Sequence, residues 1–221
     1  MDRTEDPTRD QTGGGGECSG GETASRADQR RARVIETARG LFAQRGFHAT
    51  GIAELARQSG VLVGQLYRDF ACKEDIVAAI VERDIDEFLS DGALRDAIDR
   101  HDVPAVRQWI RDFMLCDGGA CDEDRGLVAE IIAESTRNPR VSAITRGLED
   151  RLREHLFRAL VMLVPEPEKA ERRDMLGEAI LIVSGGIFHR RLVEGTVGDP
   201  SIVTAIIGFV DRELSLLMAA D

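Results

Sequence analysis

The chain has 221 residues, 43% of them hydrophobic and only 5% aromatic, with a formal net charge of −11. That is enough apolar material for one small module and one larger domain. No apolar run reaches the roughly 18 residues that span a bilayer, and the first residues lack the pattern of a secretory signal, so a cytoplasmic protein with no membrane partner is expected.

Residues 1–25 carry two Arg against six acids and a cluster of glycines at 13–16, 20 and 21, with few large apolar side chains. Nothing in such a segment offsets the entropy of ordering it, and a disordered acidic tail is expected. Residues 26–75 hold nine Lys and Arg against six acids, whereas 76–221 hold eighteen against twenty-eight. A basic segment on an acidic body suits a nucleic-acid-binding head despite the overall negative charge.

A helix is predicted over about 27–45, with Val34, Ile35, Ala38, Leu41 and Phe42 on one face and Gly46 as its stop. Ile52, Leu55 and Ala56 share a face of a second helix to about Gln58. Gly60 supplies the positive φ of a sharp reversal, and Val61 returns an apolar side chain to the crossing point. A third helix, about 62–70, carries Leu66 and Tyr67. Two short helices crossing through a tight turn form a helix-turn-helix, over about 52–70, whose second member has the dimensions to enter a DNA major groove. Residues 73–89 read as a helix linking head to body through Ile76, Val77, Ile80 and Ile85.

The body starts with a break at Asp91-Gly92, then Asp102 and Pro104 open a helix to about Leu115. Cys116 to Cys121 read as a loop, followed by helices of about 123–136, 141–164, 169–192 and 200–219. Asn138-Pro139, Pro165 to Pro167 and Gly195 to Asp199 are the separators. The expected fold is all-α, with nine or ten helices and no confident strand.

Along the head, Ile35, Ala38, Leu41, Phe42, Gly46, Phe47 and Thr50 are followed in register by Ile52, Leu55, Ala56, Gly60 and Val61. Gly64, Leu66, Tyr67, Phe70, Lys73 and Glu74 then complete the pattern. In these residues the chain resembles the tetracycline-repressor-like (TetR/AcrR) transcription regulators, a resemblance that covers residues 28 to about 88. The resemblance implies an N-terminal helix-turn-helix DNA-binding domain at 26–88 and a C-terminal ligand-binding and dimerisation domain at 89–221. It also implies a homodimeric regulator, most simply a repressor, that a small-molecule effector releases from a palindromic double-stranded operator.

Leu62, Val63, Gly64 and Gln65 open the third helix and so lie nearest base edges and phosphates. The Gln65 amide can pair with adenine through two hydrogen bonds. Tyr67 looks like the family's phosphate-binding tyrosine, Thr50 and Lys73 look like clamps on the DNA backbone, and Arg57 and Arg68 could reach phosphate. Two positions depart from the family pattern. Leu62 stands where Ser or Thr often caps the helix, a loss of about 1 kcal/mol unless Ser59 or the backbone compensates. Asp69 sets a negative charge near phosphates unless it pairs with Arg68 or Lys73, or turns away.

By the same resemblance, the last two long helices form the dimer interface, with Ile180, Val183, Gly186, Ile187, Ile206, Phe209, Val210 and Leu214 as candidates. Close approach across that interface would explain the small residues Ser184, Gly185 and Gly186. The effector pocket is expected between body helices, with Phe88, Trp109, Phe113, Met114, Ile131, Glu134, His155, Phe157 and Met162 as wall candidates. Glu134, on a helix, is expected to be solvated. Cys18, Cys72, Cys116 and Cys121 include no C-x-x-C pair, so reduced thiols are the default, with Cys116 and Cys121 a candidate redox pair. No catalytic set, cofactor motif or metal-ligand spacing appears. A small all-helical enzyme and an interaction or sensor module with decayed DNA contacts stay open as alternatives.

Overall fold

The computed structural model describes residues 25–89, 92–115, 125–196 and 198–219. Ten α-helices and one short 3-10 turn at 167–169 occur among the described residues, and no strand does. The helices are α1 (Arg26–Arg45), α2 (Ile52–Ser59), α3 (Val63–Asp69), α4 (Lys73–Leu89) and α5 (Ala93–Asp99). They continue with α6 (Val103–Leu115), α7 (Arg125–Ser135), α8 (Pro139–Leu163), α9 (Ala170–Glu194) and α10 (Pro200–Met218). The expected tail, apart from Ser25, and the Cys116–Cys121 loop lie outside the described residues.

Local chemistry sets the ends of these elements. Ser25 and Asp28 cap α1 reciprocally, each side chain accepting from the other residue's backbone N–H at 3.1–3.2 Å. Gly60 closes α2 in the left-handed region at φ 67°, where a Cβ would strain the backbone. Asp102 accepts from the Ala105 N–H at 3.1 Å at the start of α6.

Two boundaries differ from expectation. Asn138-Pro139 does not end one helix so much as begin the next: Asn138 Oδ1 accepts from the N–H groups of Arg140 and Val141, and Pro139 occupies the first helical position. The segment read as a pair of breaks contains α5, whose Leu94 and Ala97 bury against the body before a positive φ at His101 stops it.

Two apolar clusters organise the chain. One joins α1 to α4, from Val34, Phe42, Leu55, Leu66 and Phe70 to Ile76 and Ile80, and it also takes in Leu127 of α7 and Val141 of α8. The other is the body core, built on Ile110, Met114, Leu156, Leu160, Ile180 and Leu214 from α6, α8, α9 and α10. The elements α7 and α8 therefore tie the head to the body.

A candidate nucleic-acid interface

The helix-turn-helix forms as its spacing requires. Leu55 and Ala56 of α2 and Leu66 of α3 are buried at the crossing, Val61 is buried in the turn, and the Val61 N–H donates to the Ala56 carbonyl at 2.9 Å. The opposite face of α3 points outward. Leu62 is 71% exposed and Tyr67 53%, Val63, Gly64 and Arg68 are exposed with them, and Arg57 of α2 is exposed nearby. An apolar tip flanked by two arginines suits a duplex, with methyl contacts to base edges and the cations and the tyrosine hydroxyl at the phosphates.

Other expected contacts have internal roles. Thr50 is fully buried, and its hydroxyl donates to the Gly46 carbonyl at 2.9 Å, so it braces the α1–α2 loop and its side chain does not reach outward. Lys73 donates to the carbonyls of Phe47 and Thr50 and lies 4.1 Å from the Phe47 ring centroid. Burial pushes its ammonium below the usual lysine value. Both side chains clamp the protein's own backbone.

Of the two expected routes to an α3 cap, the backbone supplies one, the Gln65 N–H donating to the Leu62 carbonyl at 2.8 Å. Leu62 offers no side-chain oxygen, and the Ser59 hydroxyl is engaged by the Leu55 carbonyl at 2.6 Å. The Gln65 side chain also folds back, its Oε1 accepting from the Leu62 N–H at 3.3 Å. For Gln65 to read a base, that contact must open. Asp69 pairs with neither Arg68 nor Lys73. Its carboxylate takes Arg30 Nε at 2.6 Å and Nη2 at 2.8 Å, and these bonds hold it below the usual aspartate value against the burial that pushes it up.

Glu134 is buried rather than solvated, and it faces the head. Arg137 Nε donates to it at 2.8 Å and Asn138 Nδ2 at 3.1 Å, and His48 Nε2 lies 2.8 Å away. Burial pushes the Glu134 carboxyl up, and the donors Asn138 and Arg137 more than offset it, leaving it below the ordinary glutamate value. One turn earlier, Glu130 accepts from the Phe47 N–H at 2.7 Å. Asn138 also donates to Glu74 at 3.0 Å, and Arg140 pairs with Asp75. Spacing gave no sign of this latch, because its partners lie more than sixty residues apart in sequence.

The remaining pocket candidates divide. Ile131 packs on the head cluster, lining the same cleft as Glu134 and apart from the body-core candidates. Phe88, Trp109, Phe113, Met114, Phe157 and Met162 belong to the body core, where the Trp109 and Phe113 rings stack at 5.3 Å between centroids. His155 Nδ1 lies 2.9 Å from the Arg151 carbonyl.

Of the interface candidates, Ile180, Ile187 and Leu214 are buried within the protomer and face its own core. Val183, Ile206 and Val210 are half-buried and pack on the same core, and Gly186 and Phe209 face outward. The outward set also includes Met175, Ile182 and Val193 of α9 and Ile202 and Leu216 of α10, with Ile182 75% and Phe209 61% exposed.

Comparison with known proteins agrees with this geometry. Residues 34–80 match the family described as bacterial regulatory proteins, tetR family. The HTH-type transcriptional regulator UidR of Escherichia coli K12 is 29% identical over 121 residues, 55% of this chain and 59% of that protein. The HTH-type transcriptional repressor KstR2 of Mycobacterium tuberculosis is 33% identical over 84 residues, 38% of this chain and 41% of that protein. The chain thus matches well under two thirds of the length of these relatives. Among solved structures, Salmonella enterica GusR superposes with a TM-score of 0.62 over 86% of this chain and 98% of that one, at 21% identity, a likeness of fold. Through residues 34–80 of its N-terminal helix-turn-helix module, this chain is similar to the tetR family of bacterial regulatory proteins.

Proposed function

We propose that the chain is a DNA-binding transcriptional regulator, a homodimeric repressor that a small-molecule effector releases from a palindromic operator. The observation that carries this reading is the outward face of α3, an apolar tip at Leu62, Val63 and Tyr67 flanked by Arg57 and Arg68 on a tetR-type module. In this role Tyr67, Arg57 and Arg68 contact phosphate, and Leu62, Val63, Gly64 and a released Gln65 meet the bases.

One such helix covers only a few base pairs, so a two-fold dimer reading two half-sites is the economical arrangement. The surface that serves it is the outer face of α9 and α10. Met175 and Ile182, Gly186 and Val193, and Ile202, Phe209 and Leu216 recur there at seven-residue spacing, which keeps each set on one side of its helix. A Cβ added at Gly185 or Gly186 would meet nothing within the protomer, so the reason for these glycines is sought in a second copy. Gly177 differs, since its Cβ would fall 2.8 Å from the Phe157 ring of the same chain.

Effector control would pass through the latch. A ligand that favours one placement of α7 acts, through Glu130 and Glu134, on the Gly46–His48 loop and thus on the angle of the head. Gel shifts with the DNA upstream of the gene for this chain test the reading. A salt-sensitive shift that Tyr67→Ala and Gln65→Ala remove is expected, and a shift indifferent to both substitutions contradicts it.

A further inference from the structure

The geometry points to Arg30 and Arg31 of α1 as positioning residues for the DNA-reading helix α3, acting through Asp69; the inference rests on the DNA-binding reading above. With seven residues, of which only Leu66 is buried, α3 is too short to hold a helical direction by itself. Its leading end has no side-chain cap from position 62, and the Gln65 side chain supplies a single long contact there.

The trailing end is held differently. Arg30 presents two donors, Nε and Nη2, to the two oxygens of Asp69 at 2.6 and 2.8 Å, and a paired contact of this kind fixes direction as well as distance. Arg31 Nη1 donates to the Asp69 backbone carbonyl at 2.8 Å, and its guanidinium lies 4.3 Å from the centroid of the buried Phe70 ring. A cation on the last carbonyls also complements the helix dipole.

The Arg30 and Asp69 side chains are 21% and 13% exposed, so the pair is only partly open to solvent, and its value here is its paired geometry. The helix that carries both arginines is itself anchored, with Val34, Ile35, Ala38, Leu41 and Phe42 buried in the head. The angle of α3 is therefore referred to α1 through one carboxylate and one carbonyl. The same pairing cancels the Asp69 charge on a surface that faces phosphate.

The test uses the full-length protein and the variants Arg30→Ala, Asp69→Ala and their combination. Hydrogen exchange of the amides of residues 63–70 should quicken about tenfold in each single variant and no further in the double variant, with α4 unchanged. Unchanged protection of 63–70 overturns the inference. If Arg30→Ala loosens α4 as well, Arg30→Lys, which keeps the charge without the paired donors, should confine faster exchange to 63–70, and loosening throughout the head again overturns it.

On DNA, the preference for a duplex selected by the parent protein from a random library, over a scrambled duplex, should fall about tenfold in each single variant while binding to the scrambled duplex persists. If Asp69→Ala instead tightens binding to both duplexes and keeps the preference, the carboxylate only repels phosphate and the inference fails. Should the parent select no duplex at all, it is the DNA-binding reading that falls, and the exchange measurements still decide the role of the Arg30–Asp69 pair, with Arg31→Ala, which should quicken exchange over 63–70 as well, deciding that of Arg31.

Discussion

The head and the body both expose apolar side chains, but in different patterns. On the head they are few, confined to Leu62, Val63 and Tyr67 at the tip of α3, with Arg57 and Arg68 beside them. On the body they run the length of α9 and α10, at Met175, Ile182 and Val193, seven and eleven residues apart, and at Ile202, Phe209 and Leu216, seven apart. A short apolar tip beside cations suits a polyanion with apolar features in its grooves, whereas a long apolar stripe needs an equally long apolar partner. On the reading proposed above, the difference matches the two surfaces to two different partners.

The largest expected effect comes from placing charge on the body stripe. Ile182→Asp with Phe209→Asp should yield a monomer by sedimentation velocity. Operator affinity should fall roughly a hundredfold or more, because two linked heads become independent. The same pair of changes leaves the protomer's own core untouched, since both side chains face outward.

Glycines sharpen the contrast next. Gly177→Val drives a side chain into Phe157 and should cost about 1–3 kcal/mol in denaturant melts of the protomer. Gly185→Ala meets nothing within the chain, so in the monomeric background it should stabilise by about 0.5–1 kcal/mol while weakening association in the parent.

On the head, Arg68→Ala should weaken binding to every duplex about equally and lower the salt slope by about 2, as loss of one phosphate contact in each of the two heads requires. Equal salt slopes for parent and variant would remove Arg68 from the phosphate contacts.

The division between the two faces of α9 and α10 also marks where the sequence stops being legible. The helix-turn-helix could be read because Ile52, Leu55 and Ala56, the Gly60 reversal and Leu66 are local signals, each within a few residues of the next. In α10 apolar residues lie on every side. Periodicity alone could not separate Leu214, which faces its own core, from Phe209, which does not. Ion-pair partners were illegible for a related reason. Asp69 meets Arg30 39 positions away, and the buried Glu134 meets His48 across the head–body junction, so only the packed chain reveals either. The helix α5 was missed because seven residues between two breaks give too few turns for a period to emerge.

The smallest effect is on pH dependence. Arg30 holds the Asp69 carboxyl below its ordinary value, and in Asp211 burial pushes upward while Arg111 and Arg107 outweigh it. The unfolded chain binds more protons than the folded one between the folded and unfolded pKa values, so stability rises with pH across that window. Denaturant midpoints should be level from pH 7 to about 5 and fall as the pH drops below about 4, the ordinary carboxylate value. Asp69→Asn should make that fall shallower.

The central claim, that the outward face of α3 reads DNA from a paired molecule, is tested most directly by selecting duplexes from a random library with the full-length protein. The account predicts an inverted repeat whose halves lie about one helical turn or more apart, lost on Tyr67→Ala. Recovery of no preferred sequence, or of one that survives Tyr67→Ala undiminished, would contradict it.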